Sequence, residues 1–176
     1  MAAFCKIPRF VEVSTAFVYK SSSSTAATEQ SIPSPKGKQA LAKRAAELEL
    51  QRIDGIDIVI VRPAIVYGSY GDLGGIIFGR IVCASTYCTP SLTPAMSQQK
   101  PNTMVLLWDH TLKLNTVHVS DVCKGLWHAY LHAPPRSVWN LADRSDTDQG
   151  KLSSILESLF KIKVEYYGSF LSNVAR

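Results

Sequence analysis

Four glycines, Gly71, Gly74, Gly75 and Gly79, have a spacing that superficially suits a loop cradling phosphate. A dinucleotide fingerprint, however, closes the first strand of a strand–helix–strand unit and needs an acid about twenty residues further on. These glycines follow Val66-Tyr67-Gly68 and no acid stands at the required distance, so they read as loop flexibility. Cys83 and Cys88, with His128 and His132 one helical turn apart, suggest a zinc set. The cysteine spacing is wider than zinc pairs use, so the plain reading is small buried thiols and surface histidines, and no metal site is expected. Ser14-Thr15 closes an apolar segment, where hydroxyls either finish strand hydrogen bonds or meet a ligand. Lys43 and Glu47 stand four apart and share one face of a helix.

Elements that could position these groups follow from the apolar pattern. Phe10 to Tyr19 (FVEVSTAFVY) is rich in β-branched and aromatic residues and predicts a buried strand. A surface loop follows over about 20–36, with four consecutive serines and two prolines. Helix formers fill 38–53; Leu41, Ala45 and Leu48 make an apolar stripe, and Gly55 stands just past the end. IDIVIVRPAIVYG is apolar without alternation, as in a parallel strand covered on both faces, and Pro63 ends its regular part. Residues 70–87 read as a loop into a helix and 89–102 as an exposed excursion. MVLLW predicts a short strand, and LNTVHVSDVCKGLWHAYLHA passes from extended chain into a helix with Ser120 as N-cap. VWNLAD and VEYY read as strands around a helix striped with Leu152, Ile155, Leu156 and Leu159. The fold class is α/β.

The 176 residues suffice for one domain, and 46% hydrophobic with 19% charged residues marks a globular chain. A net charge of +5 is spread without a Lys/Arg run, so no nucleic-acid partner is expected. Four unevenly spaced cysteines are too few for a disulfide framework and fit a reducing, cytoplasmic setting. No apolar stretch approaches the ~20 residues that span a bilayer, and no secretory signal is visible at the start.

VSTAFVY (Val13 to Tyr19), the Glu-containing loop at Thr28-Glu29, a helix with a lysine, VRPAIVYG (Val61 to Gly68), NTVHVSDV (Asn115 to Val122) and VWNLAD (Val138 to Asp143) occur in a telling order. Their order and spacing resemble the extended short-chain dehydrogenases, the NAD-dependent epimerase/dehydratase family, over roughly residues 10 to 160. The resemblance implies a partial Rossmann-type parallel sheet with helices, plus a small C-terminal substrate lobe. It also implies NAD or NADP as cofactor and a small-molecule substrate. A homodimer through the lysine-bearing helix and its neighbour is a further implication.

In that family the first of these strands ends in a Ser or Thr that hydrogen-bonds the reacting oxygen. The role falls on Thr15, with Ser14 as its substrate-side neighbour. A Tyr and, four residues later, a Lys then share one helical face, the ammonium stabilising the tyrosinate and reaching the cofactor ribose. Lys43 fits the lysine. Gln39, however, stands at the Tyr position, and an amide cannot carry a proton at neutral pH. Tyr19 and Tyr67 are the other tyrosines that could lie near. Ala64, Ile65 and Val66 match backbone beside the nicotinamide, and Tyr67 and His118 the substrate side. Arg62 is read equally as part of that cofactor- and substrate-side stretch and as a structural residue, an ion pair or strand-end cap. Asp121, which orders a helix, and His118, which packs beside the substrate lobe, are read as structural before substrate contact.

The family also carries a glycine-rich half that seats the pyrophosphate on a helix N-terminus. Nothing in this sequence corresponds to it, so the chain reads as truncated by roughly a hundred residues, the size of such a half. Two functions follow as expectations. One is an NAD(P)-dependent oxidoreductase, epimerase or dehydratase acting on a sugar nucleotide or sterol-like alcohol, impaired by Gln39. The other is a pseudoenzyme that binds a ligand or partner without turnover.

Overall fold

The computed structural model describes residues 7–20, 26–69, 103–106, 109–144 and 147–168. The expected loop-to-helix segment at 70–87, the excursion at 89–102, the four decoy glycines, Cys83 and Cys88 lie outside them. The chain folds as two compact units, residues 1–69 with 116–144 and residues 70–115 with 145–176.

The first unit is built on a parallel three-stranded sheet of order β1 (Arg9–Val13), β2 (Asp57–Pro63), β6 (Val138–Leu141). β2 lies in the middle, pairing Arg9 to Val13 with Asp57 to Val61 on one side and Ile60 to Pro63 with Val138 to Leu141 on the other. Its unbroken apolar sequence follows from that place. Val59 and Val61 pack with Ala129 of α2 (Val119–His132) and with Ala133 just past its end, whereas Ile58 and Ile60 pack with Leu50 of α1 (Lys38–Gln51). Successive side chains of a strand alternate faces, so a central strand between two helices is apolar throughout. Arg62 keeps the parity of Ile58 and Ile60 and therefore faces α1. Beyond Pro63 the chain forms β3 (Ile65–Tyr67), parallel to β5 (Thr116–His118). Gly125 lets α2 approach β6, since a Cβ there would meet Leu141 Cδ1 at 2.8 Å.

The second unit pairs β4 (Thr103–Leu106) with β7 (Lys163–Tyr166) in parallel, under α3 (Gln149–Phe160). Met104, Leu106, Leu156 and Ile162 form its core. Of the stripe expected on α3, Leu156 is buried, while Ile155 and Leu159 are exposed.

Three local expectations need correction. The strand expected over 10–19 ends at Val13. There Thr15 takes an extended conformation and its Oγ1 accepts from Phe17 N, starting a short 3₁₀ turn at Ala16–Val18. On α1 the apolar stripe faces solvent: Leu41 is 54% and Leu48 41% exposed, whereas Ala40 and Glu47 are buried. The helix lies one position off its apolar phase because Glu47 must meet Arg62. Finally, His118 caps α2 in place of Ser120, its ring accepting from Ser120 N.

Candidate functional site

At the C-terminal end of β1 three polar residues come together. Ser14 N donates to Val61 O at 2.8 Å, continuing the β1–β2 ladder by one bond beyond Val13. This draws Ser14 into the interior, where its Oγ is buried without a hydrogen-bond partner of ordinary geometry. Thr15 follows and spends its hydroxyl on the turn. Lys43 reaches across from α1: its Nζ donates to Val13 O at 2.6 Å and to Glu12 Oε1 at 3.2 Å. The lysine is thus fixed beside the strand end that carries Ser14 and Thr15. Gln39 lies one turn earlier on α1 and is exposed.

Beneath this cluster lies a buried ionic network. Arg62, 2% exposed, binds Glu47, 0% exposed, through Nε to Oε1 at 2.8 Å and Nη2 to Oε2 at 2.7 Å. Arg44 adds a third bond to Glu47 Oε2 at 2.8 Å. Arg62 Nη1 donates to Tyr19 OH at 2.5 Å, and Tyr19 OH donates to Asn140 Oδ1 at 3.1 Å. Asn140 N in turn donates to Glu29 Oε1 at 2.8 Å, which pins the loop before α1 onto β6. Burial penalises the Glu47 charge, yet hydrogen bonds from Arg62, the neighbouring Ser14 and Arg44 outweigh it and hold the carboxyl below its usual range. Every ionic group here is partnered, as a buried charge requires.

A third group surrounds Asp143. Its carboxylate accepts from Thr116 Oγ1 at 3.2 Å and from His118 N at 3.3 Å. Desolvation and a hydrogen bond to Asp143 raise the Tyr67 phenol above its ordinary value, so Tyr67 is held neutral. The Tyr67 and His118 rings meet edge to face, with centroids 5.2 Å apart. Nδ1 of His118 accepts from Ser120 N, which leaves the ring proton on Nε2. That nitrogen lies against Gly68, where a Cβ would come within 2.7 Å and where φ is +110°. Glycine is required there on both counts.

The family model for the NAD dependent epimerase/dehydratase family matches residues 1–142. The chain belongs to that family. Solved structures agree on the fold. A dTDP-glucose 4,6-dehydratase from Streptomyces venezuelae with NAD bound is 21% identical, TM-score 0.73, with 97% of this chain and 51% of that one covered. A UDP-glucuronic acid 4-epimerase from Bacillus cereus with NAD is 19% identical, TM-score 0.73, with 95% and 52% covered. RMD from Pseudomonas aeruginosa, complexed with NADPH, is 18% identical, TM-score 0.66, with 92% and 54% covered. The chain spans about half the length of these structures, and no curated protein matches it.

The sequence-predicted residues of this family member thus fall into two sets. Ser14, Thr15 and Lys43 share the end of β1. Ala64 N donates to Leu141 O, and Ile65 to Tyr67 pair with Thr116 to His118, which joins the Ala64–Val66 candidates to Tyr67 and His118. Two residues escaped sequence reasoning as organisers. Glu47 was visible only as the acid four residues after Lys43, and Asp143 only as the last letter of VWNLAD. An acid in an otherwise apolar or strand-ending stretch was the one available signal.

Proposed function

We propose that this chain supplies one side of an NAD(P) site, the end that meets the nicotinamide ribose and the reacting carbon of a sugar nucleotide. The carrying observation is the meeting of Lys43, Thr15 and the buried Ser14 hydroxyl, which has no hydrogen-bond partner of ordinary geometry, at the end of β1. The donor set fits a ribose and an alcohol: an ammonium for ribose hydroxyls, and hydroxyls for a substrate oxygen. No described residue group fits the pyrophosphate, so the fit covers only this end of the cofactor. In this reading Lys43 binds the ribose, Ser14 and Thr15 orient the substrate oxygen, and the backbone of Ala64, Ile65 and Val66 borders the nicotinamide. Tyr67 and His118 face the substrate. A bound nicotinamide would supply hydride transfer. A sugar-nucleotide substrate is supported by neighbours solved with UDP-glucose or named for dTDP-glucose and UDP-glucuronic acid.

Gln39 favours a second reading, a chain that binds without turning over. Its amide cannot relay a proton, Tyr19 is held between Arg62 and Asn140, and Tyr67 is held neutral by desolvation and by Asp143. Self-association through α1 belongs to either reading and is supported by the outward Leu41 and Leu48. Sedimentation showing only monomer removes it.

A thermal melt of the 176-residue chain with NAD(H) or NADP(H) tests the proposal. A ligand at a hundred times its Kd stabilises the native state by about 2.7 kcal/mol. That raises the midpoint of a chain this size by roughly 5–10 °C. A cooperative melt that no cofactor moves refutes it.

A further inference from the structure

His128 and His132 stand four apart on α2, so their side chains rise from one face of the helix. Their ring centroids are 4.8 Å apart with the planes tilted by 47°. Both are exposed, and neither ring makes a hydrogen bond among the described residues. Two imidazoles one helical turn apart are the arrangement by which a helix offers two nitrogens to one ion. From these observations we propose that His128 and His132 chelate a divalent transition-metal ion of borderline softness, such as Cu²⁺, Ni²⁺ or Zn²⁺.

No group of three or more His, Cys, Asp or Glu residues gathers for a metal among the described residues. The site therefore provides two protein ligands and leaves the remaining positions to solvent. Such a site binds reversibly and follows the general order in which Cu²⁺ exceeds Ni²⁺ and Zn²⁺. Hard cations such as Mg²⁺ and Ca²⁺, which require oxygen ligands, are excluded by the donor type. Arg9, whose guanidinium caps the carbonyls of Ala129 and Tyr130, is itself paired with Asp57 at 2.6 Å and leaves little uncompensated positive charge at this helix end. Trp139 provides an internal reporter, its ring 6.5 Å from that of His128.

The test is a titration of the full chain with NiCl₂, followed by NMR of the four histidine rings and the tryptophan indole protons. Paramagnetic Ni²⁺ is expected to broaden His128, His132 and Trp139 together, before His110 and His118. His132→Asn is expected to weaken binding at least about tenfold, as the loss of a ligand should cost no less than the loss of a supporting residue. His110→Asn, in the other unit, is expected to leave the titration unchanged. Parallel broadening of all four histidines, or a His132→Asn chain that titrates like the parent, overturns the proposal. So does an unfolded chain, because without the helix the pair loses its convergence and the variant loses its effect.

Discussion

Two successive turns of one face of α1 make opposite use of polar residues. At Glu47 the helix buries a carboxylate completely and surrounds it with Arg62 and Arg44. One turn earlier Lys43 spans only to a backbone carbonyl and a half-buried acid, beside a Ser14 hydroxyl that no hydrogen bond of ordinary geometry satisfies. The first arrangement is closed and leaves no valence for a ligand. The second is open, and polar groups left incompletely satisfied at a strand end are where a ligand can repay the deficit. The contrast teaches that in this chain the strongest ionic contact marks structure, and the weaker one marks the candidate site.

Breaking the closed region should have the largest effect. Glu47→Ala leaves Arg62 buried and uncompensated and is expected to cost about 3–5 kcal/mol, read by urea denaturation. Glu47→Leu with Arg62→Met removes both charges and should recover most of that loss. If the double variant is as unstable as the single, the network is more than a compensated pair.

Acid sharpens the same comparison. Folding lowers the Glu47 pKa, so its contribution is present above the ordinary carboxylate range and is lost as pH falls through the folded value. Stability of the parent chain should therefore decline below that range more steeply than stability of Glu47→Gln. Equal slopes would show that Glu47 is not held ionised by its partners.

In the open region the effect should be small. Ser14→Ala removes a buried hydroxyl that has no good partner, and is expected to change stability by less than about 1 kcal/mol in either direction. A loss well above that would mean the hydroxyl is engaged, and the β1 end would then be as closed as Glu47.

Much of this organisation was legible in the sequence, for reasons that also explain the failures. The unbroken apolar run of β2 announced a central parallel strand, because being covered on both faces leaves no place for alternation. The ordered motifs located the β1 end, Lys43 and the β3 region. The phase of α1 was not legible. Apolar periodicity pointed to Leu41 and Leu48, while the inward face is set by an ion pair between residues fifteen apart in sequence. The end of β1 was overrun for a similar reason: a turn begun by the Thr15 hydroxyl looks apolar and β-branched in composition. His118 displaced Ser120 as a cap because an imidazole nitrogen can accept the same backbone N–H.

Whether Lys43 holds the cofactor is tested by a fluorescence titration of NADH and NADPH with the parent chain and with Lys43→Met. The parent chain should bind one cofactor saturably, and the variant should bind it at least about tenfold more weakly, roughly 1.4 kcal/mol or more. Identical curves for the two chains, or no binding by the parent, would contradict that role.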